Sequence, residues 1–457
     1  LRDGKSTTGK KAAASHTGAL VQSSRVMHDL VEQYGLLEAD GCRSCAVMLK
    51  ALTCGRRPGG ARTIVLSNTA GPAILATDRM ESLGVLLPQP TQALRDALDA
   101  KAGKQMQLKN PADISSNGLT PKTYETAAKT LLSSPEYDLL LGFFSLNPHL
   151  SLPDAELIEA VRAAAKPAVA CFLSSFEAFA AYDRSRLEQA GIPCFCDPQD
   201  AADAVAALSG YAKASACQSQ HVQPMLTAAQ CCAVEEFLRD FPKNEQLVLP
   251  ERLSKQLLAL AGFPVSVPVV AHTAMQAADA AEAFGYPVAL KVESYVIQHK
   301  TDVGGVRLGL QDRAAVKEAF LQMDSAMKRL DPSACVTVQP MAQSGFEVML
   351  GAARLHDTPL MAVGMGGIYA EAFQDMAFRL APLQEGQAER MLQSLRCAPV
   401  LNGFRTPPLD RAGVCQLLQR LSELMQAFAQ IREVDLNPCR VYENGCAILD
   451  ARIVLQL

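Results

Sequence analysis

Tyr286-Pro-Val-Ala-Leu-Lys291 and, a short way on, His299-Lys-Thr-Asp-Val-Gly-Gly-Val306 decide how the C-terminal half of this chain reads. The first is an apolar strand that ends in a single lysine. It holds one cation at the rim of a cleft, where phosphate oxygens are the natural partner. The second sets adjacent glycines between two apolar stretches, and glycine lets backbone N–H groups approach an anion closely. Taken singly, each has a plainer reading, a strand-end lysine facing water and an ordinary hairpin turn. The combined spacing of strand lysine, loop, Gly304-Gly305 and a further strand is far more specific than either part.

Further along the same half, Val338-Gln-Pro-Met341 precedes Gly345-Phe-Glu-Val-Met349. Gln339, at a strand end before proline, suits a hinge whose backbone reads the edge of an adenine. Glu347 on the next strand either binds a ribose or is a solvated strand charge. Met365-Gly-Gly-Ile-Tyr-Ala-Glu371 is a second glycine loop near acid. Val434-Asp-Leu-Asn-Pro438 and Ala447-Ile-Leu-Asp450 are apolar segments joined by a turn at Glu443-Asn-Gly445. That hairpin can bring the Asn437 and Asp450 oxygens to one point. Magnesium needs few protein ligands, because phosphates and water supply the others.

Towards the N terminus the pattern changes. Ala12 to Cys54 is helical in character, with a second helix from Gly41 to Leu52. Thr63 to Ser67 reads as a strand that runs through Asn68-Thr-Ala-Gly-Pro72 into a helix carrying Ile74, Leu75, Asp78 and Met80. Strands at Asp138 to Phe144, Pro167 to Leu173 and Ile192 to Phe195 alternate with helices at Ala155 to Ala165, Arg186 to Ala190 and Pro198 to Leu208. Such alternation predicts a doubly wound parallel sheet, and the apolar run Ala168 to Phe172 fits a strand covered on both faces. Lys213 to Pro224 is polar and aperiodic. Beyond it, helices at Glu251 to Ala261 and Ala274 to Phe284 and strands at Val265 to Val270, Val288 to Val292, Gly304 to Leu310 and Val336 to Pro340 form an α+β arrangement.

At 457 residues the chain is long enough for about three domains. A net charge of −4 gives no electrostatic case for nucleic acid or an anionic membrane, so any phosphate site must be local. No apolar run is long enough to span a membrane. The 14 cysteines include one C-x-x-C, Cys42 and Cys45, without a second pair at zinc spacing. They read as buried thiols or a redox pair, and with no export signal they point to a reducing cytoplasm. No tightly bound zinc or iron is expected.

The set as a whole resembles the ADP-forming (NDP-forming) acyl-CoA synthetases, relatives of succinyl-CoA synthetase. The sharpest stretches are Ser15-His-Thr-Gly-Ala-Leu20, Tyr286 to Leu310, Gly364 to Leu383 and Val434 to Pro438. The resemblance implies flavodoxin-like doubly wound parallel-sheet domains followed by an ATP-grasp α+β module. The implied boundaries are a partial phosphohistidine domain over 1–55, a second CoA-ligase domain over 56–211, a linker over 212–247 and the ATP-grasp domain over 248–457. The implied activity interconverts acyl-CoA, ADP and phosphate with a carboxylic acid, CoA and ATP, with magnesium, in a homo- or hetero-oligomer. Ser15 to Leu20 is similar to the family's phosphohistidine loop, which makes His16 the phosphate acceptor. From chemistry alone His16 is a candidate: a neutral imidazole is a good nucleophile, and Gly18 before a helix N-terminus can stabilise added charge. His299 matches a second histidine that relays phosphate near the nucleotide, and Asp435 an acid that orients it. Lys291, Gly304, Gly305, Gln339 and Glu347 match nucleotide-side positions, and Asn437 and Asp450 the magnesium ligands. Asn68 and Gly71 belong to a loop opening a helix whose dipole faces the phosphohistidine.

The family's Gly-Gly-Pro-Gly reads Ala70-Gly-Pro-Ala73 here, and Tyr295 stands where proline is common. Leu1-Arg-Asp-Gly-Lys-Ser6 reads as the end of a strand, so an upstream part is expected. In the family that part is a Rossmann-like CoA-binding domain, which also supplies the acid that holds His16. A different ATP-grasp ligase, or a non-catalytic nucleotide-sensing subunit, are the rival readings. The Ser15 to Leu20 loop argues against the first, and the intact His16, Lys291, Asn437 and Asp450 against the second. In-line transfer needs near contact, so two histidines on separate domains require a moving loop or domain, and one histidine is expected far from its phosphate partner.

Overall fold

The structure is a computed structural model that describes residues 24–54, 56–102, 108–114, 121–145, 154–173, 184–216, 224–242, 246–297, 303–367, 373 and 375–456. The chain divides into two compact units, one drawn from residues 31–218 and the other from 25–30 and 219–457.

The first unit is built on strands β1 (Thr63–Ser67), β2 (Ala112–Asp113), β3 (Leu139–Ser145), β4 (Ala168–Leu173) and β5 (Cys194–Phe195). Every pairing is parallel, in the order β2-β1-β3-β4-β5. Side chains alternate across a strand with a period of two, and here both faces bury apolar groups. Ile64 and Leu66 of β1, with Leu140 and Phe144 of β3, join a core with the helices Gln92–Ala102, Pro121–Ser133 and Asp154–Ala164. Val65, Leu141 and Phe143 join another with the helices Cys42–Thr53, Ala70–Ser82 and Pro198–Ala216. This is the doubly wound, flavodoxin-like order, with its topological switch between β1 and β3. Ala201, Ala202, Ala204 and Ala207 of Pro198–Ala216 are fully buried. Small residues there let the helix lie close on the sheet.

The second unit holds two antiparallel sheets. A four-stranded sheet, in the order β7-β10-β8-β9, comprises β7 (Val269–Ala271), β8 (Val288–Glu293), β9 (Val306–Leu310) and β10 (Cys335–Pro340). Helices Ala274–Phe284 and Arg313–Met327 cover it through Ala277, Ala281, Phe320 and Met323. Both begin at side-chain caps, Thr273 accepting from Gln276 N–H and Asp312 from Ala315 N–H. The larger sheet comprises β6 (Gln246–Leu249), β11 (Phe346–Leu355), β12 (Thr358–Met365), β13 (Met376–Leu380), β14 (Ile431–Val441) and β16 (Arg452–Gln456). Its order is β13-β12-β11-β14-β16-β6, with β15 (Cys446–Ile448) paired to β14. Glu251–Leu260, Ala228–Arg239 and Arg411–Ala427 pack on it through Leu257, Val234 and Leu418.

In the first unit the expected Ile192 to Phe195 strand is only Cys194–Phe195, and in the second unit two strands are shorter than expected, for local reasons. The expected strand from Val265 to Val270 is instead Val269–Ala271, because Pro268 supplies no N–H to a ladder; Val265 makes a lone bridge to Ile448. β9 starts at Val306 because Gly304, at φ +71°, turns the chain just before it. Within 212–247 the structure places the end of Pro198–Ala216, the helix Ala228–Arg239 and the start of β6. Among the described residues no helix is long and apolar enough to cross a membrane.

One buried side chain completes β1. Asn110 Oδ1 accepts from Val65 N–H at 3.1 Å, and its Nδ2 donates to Thr63 O at 2.8 Å and Pro88 O at 3.1 Å. Asn110→Ala leaves buried main-chain groups unpaired and is expected to destabilise this unit by about 2 kcal/mol. Urea unfolding followed by circular dichroism measures it; a change indistinguishable from zero would contradict this account of the strand.

Candidate functional site

Lys291 lies within β8, which continues to Glu293, and its side chain is buried rather than facing water. Its Nζ lies 2.7 Å from Glu251 Oε1 and 3.2 Å from the Leu449 carbonyl oxygen. A second lysine reaches the same two acceptors. Lys255 Nζ lies 2.9 Å from Glu251 Oε1, 2.8 Å from Leu449 O and 2.9 Å from Gln339 Oε1. Two cations thus share one carboxylate, all at most 8 % exposed. Burial pushes the Lys255 ammonium down from its usual range, and the adjacent Glu251 opposes this. An ammonium has three donors and no acceptor. Lys255 has spent all three, whereas Lys291 has a donor to spare. Because an ammonium only donates, the Gln339 oxygen must face Lys255, and the Gln339 amide N–H2 turns the other way.

Leu449 is also the link to the hairpin. Its N–H donates to Pro438 O at 3.0 Å, continuing the register in which Cys439 faces Ile448. One step along, Asn437 stands opposite Asp450. Asn437 Oδ1 accepts from Gly367 N–H at 3.1 Å, and Asp450 Oδ1 from Ala451 N–H at 2.9 Å. Gly367 has φ +68°, and any side chain there would run into the Glu347 carboxylate. Glu347 is held by Arg440, whose Nε and Nη2 lie 3.1 and 3.0 Å from its Oε1. Glu347, Gly367 and Asn437 are therefore brought to one end of the larger sheet. The two hard oxygens of Asn437 and Asp450 on facing segments fit magnesium, which takes few protein ligands. Among the described residues, no group of three or more His, Cys, Asp or Glu is placed to hold a metal.

Asp435, two residues before Asn437, pairs with Gly351 and Arg452 across its strand. Its Oδ1 is buried with no hydrogen-bond partner. Burial first, then the Glu433 and Asp450 carboxylates, push Asp435 above the usual carboxylate range. Gly304 turns the chain, and Gly305 O accepts from Val292 N–H at 2.8 Å, which places the glycine pair beside β8.

In the first unit, Asn68 bridges the ends of β1 and β3. Its Nδ2 donates to Ser145 O at 3.1 Å and its Oδ1 accepts from Ser145 N–H at 2.8 Å. That is the topological switch point, where open α/β sheets bind ligands. The helix Ala70–Ser82 starts there without a side-chain cap, and a side chain on Gly71 would meet open space. His16 and His299 lie outside the described residues, and with them the expected distance between each and its phosphate partner.

Glu251, Lys255 and Arg440 were not legible as site residues, whereas Gly367 belongs to the glycine loop Met365 to Glu371 already marked in the sequence. Glu251 and Lys255 are spaced i,i+4, the ordinary pattern of a solvated helix face. The available signal was their place among the apolar residues Leu253, Leu257 and Leu258.

A family model described as ATP-grasp domain matches residues 240–455. Acetate–CoA ligase [ADP-forming] I of Archaeoglobus fulgidus is 31% identical over all of this chain and 65% of its own length. The beta subunit of acetate–CoA ligase [ADP-forming] I of Pyrococcus furiosus is 32% identical over 47% of this chain and 93% of that subunit. A solved dinucleotide-forming acetyl-coenzyme A synthetase 1 of Ca. Korarchaeum cryptofilum, in complex with coenzyme A and Ca-AMPCP, is 31% identical and covers 49% of this chain, with a TM-score of 0.45. The chain spans 64–66% of the length of the first curated relatives it matches end to end.

A raised carboxylate pKa means that the folded protein disfavours the ionised form. The resulting destabilisation is present above the folded pKa of Asp435 and absent below its unfolded value of about 3.9. Asp435→Asn is therefore expected to raise the thermal midpoint at pH 7, with the gain shrinking towards pH 4. Calorimetric scans at both pH values test this, and a lower midpoint at pH 7 would refute it.

Proposed function

The chain belongs to the ADP-forming acyl-CoA synthetases, and from that premise we propose that it works as an acid–CoA ligase, interconverting acyl-CoA, ADP and phosphate with a carboxylic acid, CoA and ATP. The observation that carries the reading is the convergence at Leu449. Lys291 donates to its carbonyl, its N–H joins the Asn437 segment, and Asp450 follows it. One cation and two hard oxygens so meet within a few residues, the set that a nucleoside polyphosphate needs.

In the proposed sequence, phosphate displaces CoA from the acyl-CoA to give an acyl phosphate. A His16 ring nitrogen attacks its phosphorus and the carboxylate leaves. A terminal phosphate oxygen of ADP then takes the phosphoryl group, with His299 as an intermediate carrier and Asp435 orienting it. Splitting one transfer through a covalent histidine lowers each barrier. Lys291 and the Gly304-Gly305 loop bind phosphate oxygens, and the Gln339 segment and Glu347 bind the nucleoside. Asn68 and the start of the helix Ala70–Ser82 meet the phosphohistidine with main-chain N–H groups. Asn437 and Asp450 would hold magnesium, which supplies charge neutralisation between nucleotide phosphates when bound. Relatives with separate alpha and beta subunits support an oligomeric assembly.

Calorimetry with Mg-ADP is expected to show binding by this chain. Lys291→Ala is expected to weaken it about 10–100-fold, the worth of a charge-assisted contact of roughly 1.5–3 kcal/mol. Asp450→Ala should weaken it too, and unaltered affinity in both variants would refute the site. In the assembled ligase, His16→Ala should abolish phosphohistidine labelling from acyl-CoA and labelled phosphate. His299→Ala should still label but pass phosphate slowly to ADP. Full turnover by His16→Ala would overturn the phosphohistidine route.

A further inference from the structure

Lys255 is the one lysine of the pair with nothing to offer a ligand. Its three donors go to Glu251, to Gln339 and to Leu449 O. Those partners lie on three different elements: the helix Glu251–Leu260, the end of β10 in the four-stranded sheet, and the segment after β15 beside the larger sheet. Its Nζ thus ties the two sheets of the second unit together at the point where Lys291 and Asp450 converge. It also decides which end of the Gln339 amide faces outward.

We propose that Lys255 is a positioning residue of the nucleotide site, setting the spacing between Gln339 and Leu449 and presenting Gln339 as a hydrogen-bond donor. The ligand group met there is then an acceptor, on the base or the ribose. This rests on the nucleotide-site reading above and adds a residue that touches no substrate. Lys291 keeps Glu251 when Lys255 is removed, so one buried ion pair remains. Removing one member of a buried charge cluster costs stability, and here the remaining Glu251 and Lys291 still satisfy one another. A purely structural lysine would behave differently, since its loss would unfold the unit and lower activity in proportion.

The test is Lys255→Met on the whole chain, compared with the parent, with Lys291→Ala and with Lys255→Gln. Lys255→Met is expected to lower the thermal midpoint yet stay folded at the assay temperature, and to raise the Kd for Mg-ADP about 10–100-fold, the usual effect of removing a group that orients a ligand-binding residue. In the assembled ligase it should raise KM for ADP while kcat recovers at saturating nucleotide; Lys291→Ala should lower kcat. Lys255→Gln retains one donor for the Gln339 oxygen and should recover part of the affinity. Parent-like affinity in Lys255→Met, alongside weakened binding by Lys291→Ala, would overturn the positioning role alone. Unchanged binding by Lys291→Ala and Asp450→Ala would remove the nucleotide site and this role with it. If Lys255→Met fails to fold, Lys255→Gln decides: parent-like affinity overturns the proposal, and intermediate affinity with the same KM–kcat split supports it.

Discussion

Two buried lysines held by one carboxylate and one main-chain carbonyl form the constraint on which the second unit depends. Taking an ammonium or a carboxylate out of water costs several kcal/mol per ion, even after the surroundings relax. Glu251 is the anion placed to offset two of them, and it accepts from Lys291 at 2.7 Å and from Lys255 at 2.9 Å. The Leu449 carbonyl supplies the remaining shared acceptor. The helix Glu251–Leu260, the two sheets and the hairpin must therefore keep one arrangement. Any slip leaves a buried charge without a partner.

The same economy of partners explains where the site is tense. Asp435 is half-buried, lies near other carboxylates, and keeps a buried oxygen without a hydrogen bond. A protein selected only for stability would place an amide there. Groups held against their own preference cluster at functional sites, and Asp435 lies two residues from Asn437 on the same strand. Glu347 shows the contrasting case, since Arg440 satisfies it at 3.0 Å and Gly367 makes room for it.

The first unit follows a different logic. In a parallel sheet covered on both faces, the central strands leave polar main-chain groups free only at their ends. The order β2-β1-β3-β4-β5 opens a crevice where β1 and β3 diverge. Asn68 bridges that opening to Ser145 and leaves the first turn of Ala70–Ser82 uncapped. Main-chain N–H groups at a helix start are an anion site by geometry and dipole together.

Much of this was legible along the chain. The alternation of apolar runs and helical periods specified the doubly wound sheet, because its central strands β1, β3 and β4 are buried on both faces and read as near-continuous apolar sequence, whereas the edge strand Ala112–Asp113 does not and was missed. The strand lysine, the Gly304-Gly305 turn and the Glu443 to Gly445 turn between Asn437 and Asp450 were legible because local geometry places their groups. His16 stood out from chemistry only as a nucleophile before a glycine and a helix, and its role came from resemblance. Lys255 and Glu251 stayed hidden, because a Glu and a Lys four apart look the same on a wet helix face as in a core. Their meaning comes from Leu449, which lies 158 positions from Lys291 and 194 from Lys255. By itself the sequence determined the elements and the chemical groups at their ends, since period, turn and cap are short-range properties. Only the tertiary structure decided which of those ends meet, because that depends on sheet register and on which buried charges the packing leaves to satisfy one another.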